Sequence, residues 1–181
     1  MNICVYCSAK DSIADHYKQL GRELGKWIAD AGHTLIFGGA TGGLMTEVSK
    51  TVHNNAGLVT GVVPQRILLA GRRSPWCTAT VEVNNMSLRK QQMRQLADCF
   101  VCMPGSYGTL DEMFDAISSG IVGEHHKPVF ILNYKGFYDP LLELIDKMHK
   151  QQFIPAEECF KPIFVNSLDQ LIQELQTIKI R

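Results

Sequence analysis

Cys99-Phe100-Val101-Cys102-Met103-Pro104-Gly105-Ser106-Tyr107-Gly108-Thr109-Leu110-Asp111-Glu112 is the stretch on which the reading of this chain turns. Its first four residues are an apolar run of strand length. Residues 104–108 favour a turn, and Met113-Phe114-Asp115-Ala116-Ile117 continues with helical spacing. A strand, a glycine-containing turn and a helix start thus follow one another without a break. Small residues let backbone N–H groups approach an anion, and a helix N-terminus adds a favourable dipole. Asp111 has a simple account, because a carboxylate in the first helical turn is stabilising. Glu112 can share it, yet a carboxylate beside an anion-binding turn also points to chemistry next to a phosphate.

Outward from this stretch, strand and helix patterns alternate. Strands are predicted at residues 3–7, 34–37, 58–63, 78–83, 100–103, 129–132 and 163–165. Helices are predicted at 16–31, from the 38–43 turn to about 54, at 87–97, from the 104–109 turn to about 122, at 140–150 and at 168–178. Such alternation predicts an α/β fold: a doubly wound, mostly parallel sheet of about seven strands with helices on both faces. Ligands of such sheets bind at the carboxyl ends of the strands, where both glycine turns lie. The 181 residues favour a single domain over residues 1–181.

Composition narrows the function classes. Eighteen basic residues balance eighteen acidic ones, which argues against broad nucleic-acid binding. No apolar run approaches the roughly 20 residues that span a bilayer. The opening Met1-Asn2-Ile3-Cys4 reads as a strand and not a leader, so a cytoplasmic location with no membrane partner is expected. Two cysteine pairs have C-x-x-C spacing, Cys4/Cys7 and Cys99/Cys102. Both sit in strand-like runs, where side chains three apart point to opposite faces. Buried, reduced thiols are expected, and no metal is implied.

The earlier run Gly38-Gly39-Ala40-Thr41-Gly42-Gly43 lacks the Lys-Ser/Thr of a Walker A loop and is not G-x-G-x-x-G. Paired with the turn at 104–109, it can enclose one phosphate, which suits a nucleoside monophosphate better than a dinucleotide. Arg89 and Lys90 open a helix, where basic side chains oppose the dipole. Either an anionic ligand relieves that conflict or the two are simply exposed at a frayed start. Residues 64–75, with Arg66, Arg72 and Arg73, read as a basic lid or as a solvated connection.

Together these residues resemble the Lonely Guy family, cytokinin riboside 5′-monophosphate phosphoribohydrolases, and related nucleotide-binding proteins once labelled possible lysine decarboxylases. The signature Pro-Gly-Gly-x-Gly-Thr-x-x-Glu is matched by Pro104, Gly105, Gly108, Thr109 and Glu112, and an upstream Arg-Lys pair by Arg89 and Lys90. Gly-Gly-Gly-x-x-Gly-Leu-Met-Gly is partly met by Gly38, Gly39, Gly43, Leu44 and Met45. Softer similarity runs from Cys4-Val5-Tyr6-Cys7 through His126-Lys127-Pro128 to Gly136-Phe137-Tyr138-Asp139. The resemblance implies a Rossmann-like homodimer that cleaves the N-glycosidic bond of a nucleoside 5′-monophosphate, a cytokinin riboside monophosphate or AMP. It implies catalytic Arg89 and Glu112: Glu112 holding ribose and activating water, Arg89 anchoring substrate and stabilising developing charge. The implied substrate-binding set adds Ser8, Gly39, Thr41, Gly42, Met86 and Lys90. Gly105, Ser106, Tyr107, Gly108 and Thr109 follow around the phosphate, and Ser118 lies beyond. Neither cofactor nor metal is implied.

The departures from the family pattern bear on base recognition and leave the implied catalytic pair intact. Ser106 replaces the second signature glycine, Ala40 and Thr46 replace glycines of the earlier run, and Ser87 stands where a histidine is common. Ser119 and Gly120 stand where an aromatic residue and glutamine are usual, and residues 64–75 lack an expected acid. A left-handed backbone at Ser106 would cost about 1–2 kcal/mol. The alternative reading is a nucleotide-binding protein of the same fold without hydrolase activity. A pyridoxal-phosphate decarboxylase would require a Schiff-base lysine beside the glycine turns, and the sequence places none there.

Overall fold

The structure is a computed structural model that describes residues 1–178. Strands β1 (Asn2–Tyr6), β2 (Thr34–Phe37), β3 (Leu58–Pro64), β4 (Ala79–Val83), β5 (Cys99–Cys102), β6 (Val129–Leu132) and β7 (Ile163–Val165) form one sheet, ordered β4-β3-β2-β1-β5-β6-β7. Every neighbouring pair is parallel, so the sheet is wholly rather than mostly so. Parallel neighbours require crossovers. Helices α1 (Asp15–Asp30), α2 (Gly43–Asn54), α3 (Gln65–Leu69), α4 (Met86–Leu96), α5 (Tyr107–Ile121), α6 (Asp139–Lys150) and α7 (Leu168–Thr177) supply them or follow the last strand. This is the Rossmann-like architecture the alternation implies.

Alternation along each strand splits the core into two layers. Ile3, Val5, Leu35, Phe37, Val101 and Leu132 face Leu20, Leu24 and Ile28 of α1, Leu44, Val48 and Val52 of α2, and Leu171 and Leu175 of α7. Cys4, Tyr6, Ile36, Phe100, Cys102 and Ile131 face Met93 of α4 and Met113, Ala116 and Ile117 of α5. Both faces are covered, which is why the strands read as continuous apolar runs. The cysteine pairs divide as their spacing requires: Cys4 and Cys102 lie in one layer, Cys7 and Cys99 in the other. All four are buried free thiols, and burial pushes Cys99 up to about 12.

Strand order reverses between β1 and β5, and the Met103 N–H donates to the Tyr6 carbonyl at 2.9 Å just past their ends. The crevice of the fold therefore opens above these two strands. Residues 64–75 are more ordered than either expectation for them. They contain α3, and an antiparallel bridge pairs Ala40 with Arg73. The Ser74 N–H donates to the Gly39 carbonyl at 2.8 Å, tying the segment to the first glycine turn. Among the described residues, no helix is long and apolar enough to cross a membrane.

Candidate active site

β5 delivers the chain into the turn at Met103–Ser106, and α5 begins at Tyr107. Ser106 is the N-cap residue with φ −109° and ψ −159°, ordinary extended backbone. The left-handed strain does not arise, because this position never required a glycine. Gly105 does need its missing side chain: a Cβ there would lie 2.0 Å from Thr109 Oγ1. The Ser106 side chain makes no capping bond, and the first α5 backbone bond belongs to Leu110, whose N–H reaches the Ser106 carbonyl at 3.0 Å. Among the described residues, the N–H groups of Tyr107, Gly108 and Thr109 therefore find no acceptor. Open space lies over Gly108, and Tyr107 is exposed. Unpaired N–H groups at a helix start form a cradle that can receive an anion.

Glu112 follows on the inner face of α5 and is buried. Its Oε1 meets Nη2 of Arg89, from the first turn of α4, at 2.9 Å; the side chains are 9% and 12% exposed. Asn85 caps α4 by accepting from the Leu88 N–H at 2.9 Å, which fixes where Arg89 emerges. Met86, also on the expected list, approaches Arg89 Nη1 through its sulfur at 3.6 Å. Among the described residues, Arg89 Nε is buried without an acceptor. Burial raises the Glu112 carboxyl above its ordinary 4.5, and Arg89 pulls in the opposite direction. A desolvated carboxylate oriented by a guanidinium is suited to stabilising positive charge or directing water.

The conflict of Arg89 and Lys90 with the α4 dipole is resolved inside the chain. Glu112 answers Arg89, while Lys90 Nζ contacts Asp111 at 2.8 Å and Asp115 at 3.4 Å. Lys90 thus joins α4 to α5 and is spent on carboxylates rather than directed at the cradle. Ser118 lies apart from the pair. It is exposed on α5, six residues beyond Glu112, or about 9 Å along the axis.

The other glycine turn is closed. The Thr41 N–H donates to the Arg72 carbonyl at 3.0 Å, the Gly42 N–H to Thr46 Oγ1 at 2.7 Å, and the Gly43 N–H to Asp11 Oδ1 at 2.8 Å. Gly39 packs on β3, where a Cβ would lie 2.3 Å from Val63 Cγ2. The two turns therefore do not present matching donors to one phosphate. Ser8, at the end of β1, accepts from the Lys10 N–H at 3.2 Å. It joins Gly105 and Ser106 in lining a cleft of about 280 Å³ that also includes Lys10, Tyr17 and Phe137.

Three contributions escaped the sequence reading. Gly38, at the end of β2, is where the Arg89 guanidinium rests: a Cβ there would lie 1.7 Å from Nη2. The glycine run was visible, but its distant partner was not. Lys10 and the aromatic wall carry no local signal for a cleft. Tyr138, from the softer Gly136-Phe137-Tyr138-Asp139 similarity, is buried and donates its hydroxyl to the Met103 carbonyl at 2.9 Å, bracing the cradle. Elsewhere, Phe160 stacks on Gly120, where a Cβ would lie 2.6 Å from the ring. An aromatic side chain from a later segment thus covers the position where Gly120 has none.

Comparison with known proteins places the chain in a family. A family model described as possible lysine decarboxylase matches residues 45–175. A probable cytokinin riboside 5′-monophosphate phosphoribohydrolase of Oryza sativa subsp. japonica is 37% identical over 173 residues, covering 96% of this chain and 75% of the relative. The cytokinin riboside 5′-monophosphate phosphoribohydrolase LOG of the same species is 38% identical over 155 residues, covering 86% of this chain and 64% of that relative, less than two thirds of its length. Two solved structures share the fold at lower identity. The structural-genomics target TM1055 superposes with a TM-score of 0.78 at 20% identity, covering 98% of this chain and 99% of that one. The molybdenum cofactor binding protein of Rippkaea orientalis does so at 0.73 and 19%, covering 97% and 95%. Sequence identity over nearly the whole chain, joined to the family model, makes this chain a member of the Lonely Guy family of cytokinin riboside 5′-monophosphate phosphoribohydrolases.

Proposed function

We propose that this protein hydrolyses the N-glycosidic bond of a nucleoside 5′-monophosphate, AMP or a cytokinin riboside monophosphate, to free base and ribose 5-phosphate. The observation that carries this reading is the buried Arg89–Glu112 pair beside the unpartnered N–H groups opening α5. Glu112 follows Gly108 by four residues, about 6 Å along the helix, a span comparable to that from phosphate to the far side of a ribose. With the phosphate at residues 105–109, the Glu112 carboxylate reaches the anomeric carbon. The C1′–N bond breaks with its electron pair leaving on the base. Glu112 stabilises the oxocarbenium-like sugar and directs water to C1′; the hydroxyl stays on the sugar and the proton is taken up by the base. Arg89 holds the carboxylate ionised and anchors the substrate. Incubation of the pure protein with AMP or isopentenyladenosine monophosphate should release free base and ribose 5-phosphate, and an intact nucleotide after prolonged incubation would count against hydrolysis.

The same reading sets a pH dependence. Activity needs ionised Glu112, so kcat/KM should fall as pH drops through its raised pKa, placing the acid limb above the ordinary 4.5. Arg89 lowers that pKa, so Arg89→Met should move the limb further up while reducing the rate. A pH–rate profile of both proteins checks this; an unmoved limb in the variant would contradict the assigned coupling.

A second reading, nucleotide binding without hydrolysis, is favoured by the closed glycine turn, where Thr46 and Asp11 occupy donors. It predicts thermal stabilisation by AMP with no product. Under either reading we place the protein in the cytoplasm as a homodimer. Six free cysteines suit a reducing compartment. Met86, Leu88, Phe114, Ile121 and Val122 leave an apolar surface exposed along α4 and α5. Light scattering should give twice the 20.2 kDa chain mass, and a monomer at micromolar concentration would remove this assignment.

A further inference from the structure

A phosphate held only by neutral N–H groups would leave its charge poorly compensated, yet the three cations of α4 are engaged. Arg89 is bound to Glu112, Lys90 to Asp111 and Asp115, and Arg94 to Asp115 and Glu124. Lys10 is different. It is exposed, lines the same cleft as Gly105 and Ser106, and forms no ion pair among the described residues. Its backbone is held in place by the other glycine turn. Gly42 and Gly43 have φ of +123° and +46°, and a Cβ on them would lie 2.3 Å from the Ala9 carbonyl oxygen and 2.4 Å from that of Lys10. Only side-chain-free residues in those conformations let α2 sit directly on the loop after β1. Asp11, the next residue, is turned onto the Gly43 N–H at the start of α2, which removes its carboxylate as a competitor for Lys10.

We propose that Lys10 is the cation that binds the substrate phosphate, and that the Gly39–Gly43 turn serves the site by mounting the Lys10 loop rather than by contacting phosphate itself. This rests on the monophosphate reading above and adds a residue to it. The ligand class is a phosphomonoester of ribose or of a nucleoside. Its phosphate takes hydrogen bonds from the α5 N-terminus on one side and the Lys10 ammonium on the other.

The test is calorimetric titration of ribose 5-phosphate, AMP and adenosine into wild type, Lys10→Met and Lys10→Arg, with turnover of AMP measured in parallel. Lys10→Met is expected to weaken both phosphate esters by about tenfold or more, the scale of a charge-assisted hydrogen bond. Adenosine binding should be unchanged, and Lys10→Arg should restore most of the affinity. Turnover by Lys10→Met should show the loss in KM, with kcat nearly that of the wild type. Equal affinity of wild type and Lys10→Met for ribose 5-phosphate overturns the assignment, as does an equal loss for adenosine or a wild type that ignores ribose 5-phosphate. Tight, Lys10-dependent binding of AMP without turnover would instead remove the hydrolase reading and leave the Lys10 assignment standing.

Discussion

Glu112→Gln is expected to lower base release from a nucleoside 5′-monophosphate by on the order of 10²–10⁴-fold, the contribution of one positioned acid–base group. Glutamine keeps the side-chain volume and an amide oxygen to accept from Arg89 Nη2, so the contact at 2.9 Å can persist as a hydrogen bond from the charged guanidinium to a neutral oxygen. What disappears is the negative charge facing the sugar. The fold should tolerate the change. Burial raises the Glu112 pKa, so the native state holds this proton more tightly than the unfolded chain does. The associated stability is greatest in acid and is lost as pH rises through the raised value. Glutamine removes that dependence, and thermal melts of the variant should be flatter across this range than those of the wild type. Steady-state base release and melting curves check the two halves; a variant that turns over within a few fold of wild type would falsify the role given to Glu112.

Gly38→Ala should reduce turnover by on the order of 10²-fold without altering any charged residue, since misplacing a reacting group by about 1 Å costs that much. The added methyl would lie 1.7 Å from Arg89 Nη2 and 2.7 Å from its Cζ, so the guanidinium must move. Gly38 is not among the positive-φ residues, so alanine fits the backbone there. The obstacle is the far end of one flexible side chain, which yields while the sheet does not. The expected result is a folded protein with near-native secondary structure by circular dichroism and the kinetic defect of an Arg89 variant. Full activity would mean that Arg89 has a second productive position.

These two variants separate what was legible from what was not. Glu112 was visible as a carboxylate in a turn–helix motif, because strand length, turn chemistry and helix spacing are local properties. Gly38 was visible only as one glycine in a run, and its role depends on a guanidinium carried by another helix. Ser106 looked like strain when compared residue by residue with the family pattern. Its extended backbone shows that the second glycine of that pattern is not required for this turn geometry. The segment at 64–75 reads in the sequence as a basic lid or a solvated connection, because a helix of five residues carries too little periodicity to detect and its anchoring hydrogen bonds go to Gly39 and Thr41.

The sequence by itself determined the alternating α/β architecture, the burial of Cys4, Cys7, Cys99 and Cys102 on opposite faces, and the strand–turn–helix around Glu112. Each follows from periodicities of two and 3.6 residues and from the few residues that tolerate tight turns. Only the tertiary structure decided which hydrogen-bond donors and which cations remain available. Among the described residues the N–H groups opening α5 are free, whereas those at Gly42 and Gly43 are taken by Thr46 and Asp11. Arg89 and Lys90 are engaged by carboxylates of α5, and Lys10 has no ion pair among the described residues. The physical reason is that unpaired donors and charges are what remains after every contact in the fold has formed, and many of those contacts join residues far apart in the chain.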